Sequence, residues 1–278
     1  DGMLGELSNF DHPHNLTLRY QRHLLDALNL AAGASVLEIG GHRSGVLPYL
    51  EKTPGLVAHG IDISAAWVRA QNQLAHGRKS QTAWHLGDAE NLPFKAATFD
   101  AIVSFDVFEH LTDIRSAARE CFRVLRPGGS LLVHMPIQDV SGSLDGLQKR
   151  FRGDAWRAGQ ASVGHFHEQM LTAEQATLMF QEYGFEVENH ERFNVWLQPL
   201  HDHKWLSFLG RVRRSVSREK MSAPVQSEAQ GASSTGASGF QRTYGRLVLP
   251  VVSTVALVDR LGQRLGIGGS ATWVLRKP

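Results

Sequence analysis

The chain has 278 residues, 42% of them apolar and 20% charged, with a formal net charge of +2. That length buries a full core, most simply as one α/β domain with an addition, and the balanced charge argues against a dedicated nucleic-acid binder. The lone cysteine, Cys121, excludes an intramolecular disulfide framework, and no apolar run has the length of a membrane span, so the sequence points to a soluble, cytoplasmic protein.

Asp1-Gly2 ahead of Met3 reads as an appended pair, with Met3 the native start and no secretory leader after it. Residues 12–30 place Leu16, Tyr20, Leu24, Leu25 and Leu28 at helical spacing, and Gly33 ends that predicted helix. A strand predicted over 35–39 leads into Gly40-Gly41-His42-Arg43-Ser44-Gly45 and then a helix over 46–51. A second strand is predicted over 57–62, after which Ser64 caps a helix rich in Ala, Gln and Leu. Strands three and four are predicted over 81–86 and 99–105, the latter a run of the kind buried on both faces. A helix predicted over 114–125 runs up to the breaker Pro127-Gly128-Gly129, and 130–135 reads as strand five. Strands alternating with helices imply a mostly parallel sheet with right-handed crossovers.

The second half is less regular. Residues 141–162 form a Gly-rich, basic connection, and Thr172-x-x-Gln175 is a capping-box-like start for a helix that Gly184 closes. Residues 185–193 and 271–276 read as the last two strands. The long insertion between them holds a Ser/Ala/Gly/Gln-rich stretch over 222–239, predicted to be flexible. It also holds an apolar run over 247–258, broken by Pro250 and flanked by Arg242, Arg246, Arg260 and Arg264, too short to cross a bilayer. The resulting division is a helical cover over 1–32, a core over 33–193, an insertion over 194–270 and a final strand over 271–278.

Chemistry concentrates where the predicted strands end. A strand that runs into a glycine loop and a helix gathers free backbone N–H groups, a setting suited to a carboxylate or phosphate. Strand two ends in Asp62, about twenty residues past the loop, where an acid accepts hydrogen bonds from ribose hydroxyls. Strand three ends in Gly87-Asp88-Ala89-Glu90-Asn91-Leu92-Pro93-Phe94, and strand four in Phe105-Asp106-Val107-Phe108-Glu109-His110. These deliver acids, an aromatic and a histidine to one edge.

Taken in order, Val36-Leu37-Glu38-Ile39-Gly40-Gly41, Gly60-Ile61-Asp62-Ile63-Ser64, Gly87–Phe94, Phe99–Leu111 and Arg123–Val133 resemble the successive motifs of class I S-adenosylmethionine-dependent methyltransferases. The resemblance covers about residues 15–135, with a weaker tail through Gly184–Val187. It implies a Rossmann-like, doubly wound seven-stranded α/β sheet of order 3-2-1-4-5-7-6 with the last strand antiparallel. It also implies S-adenosylmethionine as cofactor and S-adenosylhomocysteine as product. Glu38, Gly40, Gly41 and His42 would then shape the loop under the methionine part. Asp62 would hold the ribose, Ile63 would pack on adenine, and Asp88 with Ala89 would bind the adenine edge. Phe105 and Asp106 would border the methyl-donor end. One departure is plain: the family loop usually runs Gly-x-Gly-x-Gly, whereas His42 and Ser44 stand at the second and third positions, and Gly45 serves the last only in a loop one residue longer.

Methyl transfer needs a positioned nucleophile and often a base, for which histidine suits neutral pH. His165 and His167, between strand five and the next helix, are candidates, as is His110; each has the alternative of capping or packing a helix. His201-Asp202-His203 has no fixed ligand spacing and is not assigned a metal. Tyr20, Trp156, Trp196 and Trp205 are candidate walls of an acceptor pocket. Lys204, Arg211, Arg213, Arg214, Arg218 and Lys220 lie beside apolar residues, so the stretch 204–264 either covers the cofactor or makes weak contact with a membrane surface or lipid. The expected reaction is methylation of a small molecule, foremost on an oxygen of a sugar, glycan or secondary metabolite. Carbon or oxygen methylation of a prenyl or lipid-like acceptor is the alternative, and a non-catalytic scaffold subunit the reading from another class.

Overall fold

Strands β1 (Ser35–Ile39), β2 (Val57–Asp62), β3 (Ala83–Leu86) and β4 (Phe99–Phe105) lie parallel, with β1 between β2 and β4. The first, second and fourth occupy the residues that their hydrophobic runs predict; β3 starts at Ala83, two residues later than the sequence suggests. The structure is a computed structural model, and it describes residues 16–41, 45–140, 142–155, 170–193, 254 and 257–278. Strand β5 (Leu125–Pro136) continues the parallel set beside β4, and β7 (Ser270–Arg276) enters antiparallel between β5 and β6 (Glu186–Phe193). The seven-stranded order is 3-2-1-4-5-7-6, as expected.

Two helical layers cover the sheet, and the alternation of side chains along each strand decides what each layer meets. Val36, Ala101, Val103 and Leu132 face helices α1 (Leu16–Ala27) and α2 (Val46–Leu50), meeting Leu24, Leu25, Val46 and Leu50. Leu37, Ile39, Ile102 and Leu131 face the other layer, α4 (Ile114–Val124) and α6 (Ala173–Glu182). Helix α4 presents Ala117, Ala118, Cys121 and Val124 at helical spacing, all buried, so Cys121 is a core residue whose thiol burial holds protonated. Helix α3 (Ala65–Gly77) begins at Ser64, whose hydroxyl accepts from Trp67 N–H, and α6 begins with the full capping box of Thr172 and Gln175. Helix α5 (Leu144–Arg152) follows β5.

The sequence places the end of α4 one residue too late and misses the start of β5. Leu125 is already extended and buried, paired with Phe99 on β4. Pro127-Gly128-Gly129 therefore form an irregularity inside β5 rather than the stop of a helix, with Gly128 at φ 76°.

One row of residues across the sheet fixes the height of the loop above it. Glu38, Gly60 and Trp84 are register partners on β1, β2 and β3. Trp84 lies over Gly60 so closely that a Cβ there would stand 2.3 Å from its ring, and one on Gly41 would stand 1.8 Å from it. Gly60→Ala is expected to lower the unfolding free energy by about 1–3 kcal/mol, as overpacking does. In a Trp84→Leu background, urea denaturation should show most of that cost gone, because the ring that collides with the added methyl is absent.

Candidate active site

The C-terminal ends of β1 to β4 form one edge, and the crevice beside β1, where strand order reverses, is where open α/β sheets bind ligands. At that point the chain leaves β1 through Gly40, at φ 69°, whose N–H donates to Ile61 O at 2.8 Å. A side chain on Gly40 would collide with Val107, its Cβ 2.4 Å from Cγ2, so the loop is bare backbone by necessity. Gly41 is buried against Trp84, and Gly45, left-handed at φ 63°, opens α2. Glu38 is buried beneath this loop. His42 lies outside the described residues.

The two predicted ligand carboxylates are set by the same device. Asp62 Oδ1 accepts from Ser64 N–H at 2.8 Å, and Asp88 Oδ1 accepts from Glu90 N–H at 2.9 Å. Each acid thus closes a turn on its own backbone, which fixes its rotamer at the strand end. Ile63 is exposed beside Asp62, and Ala89 is buried beside Asp88. Glu90, quoted in the sequence only as part of a motif, has a mechanical job. Its Oε1 accepts from Thr112 and Asp113 N–H at 2.7 and 2.8 Å, tying the loop after β3 to the turn after β4. Glu120 and Arg123 of α4 hold the same loop through Leu92 N–H and the carbonyls of Leu92 and Phe94.

At the end of β4, Phe105 is buried and Asp106 exposed, with Asp106 in the left-handed region at φ 56°. A non-glycine residue held there marks a place where surroundings dictate backbone shape. The holding contact is Asp106 N–H to His134 O at 2.9 Å, and its carboxylate stands 3.6 Å from His134 Nε2. His134 is buried and bonded through Nδ1 to Thr272 Oγ1 at 2.8 Å. Burial lowers its pKa, against the charge of Asp106, so the ring is neutral near pH 7. Nothing in the motif pattern nominates His134; the signal available was a lone histidine in an otherwise apolar strand.

Tyr20 ends in this same polar row. Its ring stacks on Phe193 at 4.0 Å, and its hydroxyl donates to Glu191 Oε2 at 3.0 Å. Burial, and secondarily Glu191, keeps that hydroxyl protonated. The structure thus assigns Tyr20 the work of pinning α1 to the outer strands.

A cavity of about 450 Å³ opens between the turn after β4 and the end of β5, lined by Phe108, Glu109, His110, Ile114, Met135 and Leu171 among others. His110 stands on its wall, 3.8 Å from Glu109. Burial, reinforced by the charge of Asp106, raises the Glu109 carboxyl to about 8. The fold therefore keeps a proton that the unfolded chain releases near the ordinary value of 4.5, so stability falls as pH rises from there toward 8. Glu109→Gln is expected to flatten that fall, with urea midpoints at about pH 5 and about pH 9 closer together than in the wild type. His165, His167, Trp156, Trp196 and Trp205 lie outside the described residues, as does most of the insertion.

Comparison with known proteins shows what these strand ends are similar to. Residues 37–133 match the family described as methyltransferase domain. Norajmaline N-methyltransferase of Rauvolfia serpentina is 31% identical over 101 residues, which are 36% of this chain and 35% of that protein. The ubiquinone/menaquinone biosynthesis C-methyltransferase of Hahella chejuensis is 34% identical over 118 residues, 41% of this chain and 47% of that one. The chain thus spans about half or less of the length of these curated relatives. Among solved structures, Haemonchus contortus phosphoethanolamine N-methyltransferase 2, in complex with S-adenosyl-L-methionine, shares the fold. It gives a TM-score of 0.58 at 17% identity, over 94% of this chain and 52% of that one. In its matched residues 37–133 and its strand order together, this chain is similar to methyltransferase-domain proteins.

Proposed function

We propose that this chain transfers a methyl group from S-adenosylmethionine to a small-molecule acceptor. The observation that carries the reading is the pair of carboxylates, Asp62 and Asp88, each locked at a strand end on the edge that carries the bare Gly40-Gly41 backbone. The residues fit the cofactor: backbone without side chains for its amino-acid part, two fixed acids for the hydroxyls and amine of a nucleoside, and apolar surface at Ile63. When bound, the cofactor supplies a methyl group on a positively charged sulfur.

The chain's own residues do the rest. Gly40, Gly41 and the buried Glu38 would hold the methionine end, with Asp62 on the ribose and Asp88 and Ala89 on the base. Phe105 and Asp106 would border the donor end. The 450 Å³ cavity is of a size that takes a small organic molecule rather than a polymer, and it sits against Glu109 and His110. On this reading His110, on the cavity wall, would take an acceptor proton, and His165 and His167 remain candidates by sequence. The relatives are named for nitrogen and for carbon methylation, so the oxygen of a sugar, glycan or secondary metabolite is here one acceptor class beside a lipid-like one.

Calorimetric titration with S-adenosylmethionine and S-adenosylhomocysteine tests the reading. Both should bind the wild type, and Asp62→Ala should weaken them about 10–100-fold, the loss of one charge-assisted hydrogen bond. Absence of binding by the wild type would overturn it and leave the scaffold reading. Binding licenses a screen of acceptors by mass spectrometry for the gain of one CH₂.

A further inference from the structure

Two short helices near the end of β5 carry large apolar side chains that are exposed among the described residues. On α5, Phe151 is 80% exposed and Leu147 46% exposed. On the helix over 257–264 and its last turn, Leu257, Leu261 and Leu265 recur every four residues and are 62%, 54% and 73% exposed. A spacing of four aligns them in one stripe along the helix. Single exposed leucines need no explanation, but stripes on two helices do.

The charge around these stripes is mostly basic, with Asp154 an exposed acid just after α5. Lys149, Arg150 and Arg152 crowd the last turn of α5, and Arg260 and Arg264 stand exposed beside the leucine stripe. The acid within that second helix, Asp259, is buried. The segments that flank the two helices also meet. The chain enters α5 at Gly142, where an added Cβ would be in contact with Ile267 at 3.4 Å, and Ile137 N–H donates to Gly269 O at 3.2 Å. Both are therefore anchored at the C-terminal end of β5, the same edge that carries the active-site crevice.

We infer that α5 and the helix over 257–264 dock this chain on an anionic membrane surface, the leucines and Phe151 entering the headgroup region and the basic residues pairing with lipid phosphates. An apolar stripe flanked by arginines is the pattern of a helix lying in a membrane interface. A second copy of the chain fits less well, since a symmetric contact would set the basic flanks of the two copies against each other. The inference stands apart from methyl transfer, because it rests on residues that touch neither the glycine loop nor the acids. Among the described residues no helix is long and apolar enough to cross a membrane, so the attachment is peripheral.

Co-sedimentation of the full chain with vesicles tests it. Binding is expected to phosphatidylglycerol-containing vesicles and to fall in pure phosphatidylcholine or at high salt. Arg260→Gln with Arg264→Gln should weaken binding roughly 30-fold, and Leu257→Glu with Leu261→Glu should abolish it. Melting temperature and cofactor titration, measured on the same variants, should match the wild type and show that they are folded. Equal binding to neutral and anionic vesicles, no binding to either, or variants that bind like the wild type would overturn the inference. So would a dimer, seen by ultracentrifugation, that Leu261→Glu dissolves while vesicles never bind.

Discussion

The structure depends on one aromatic ring filling the space of two missing side chains. Trp84 lies over Gly60 and reaches Gly41, so the depth of the loop after β1 is set by contact with a residue on an edge strand. An edge strand is a loose foundation unless its exposed backbone is occupied. Here Asn72 of α3 occupies it, donating to Trp84 O and accepting from Trp84 N–H, both at 2.9 Å. A helix thus holds the strand, the strand holds the ring and the ring holds the loop. Every proposed contact to the cofactor's amino-acid end inherits its position from that sequence of contacts.

The other half of the sheet is organised by polarity. Phe105, His134, Thr272 and Glu191 are successive register partners across β4, β5, β7 and β6, and Tyr20 from α1 closes the row. The row is buried from Phe105 to Thr272 and ends at the exposed Glu191, and its polar members stabilise one another by pairing. It joins the left-handed Asp106 at the crevice to the outermost strand, and it fastens the N-terminal helix on the way. The turn after β4 is therefore braced from both sides: by Glu90 and α4 on the side of β3, by His134 on the side of β5.

Much of this was legible in the sequence. Apolar runs gave three strands to the residue, Ser64 and Thr172 marked helix starts, and the acids at 62 and 88 were read as rim residues from their places at strand ends. Period and capping are local, and local chemistry is written consecutively. What escaped was written across the chain. The strand pattern tells which face Trp84 occupies but not that Gly60 lies beneath it, since register between strands is decided by packing. The coupling of Tyr20 to residues over 170 positions away is of the same kind. The end of α4 was misplaced because a proline and two glycines outweighed the pull of Leu125 into the core.

The turns that lock Asp62 and Asp88 have a thermodynamic consequence. A free aspartate on a surface samples several rotamers, and a ligand that needs one of them must remove that freedom, at a cost of order 1 kcal/mol for a rotamer-rich group. Here the backbone N–H two residues on has already removed it. The two acids are thus held in place before any ligand arrives, and on the proposed reading recognition of a nucleoside becomes a comparison of shapes. Such a crevice should discriminate sharply between nucleosides that match that spacing and close analogues that do not, with little adjustment on the protein side.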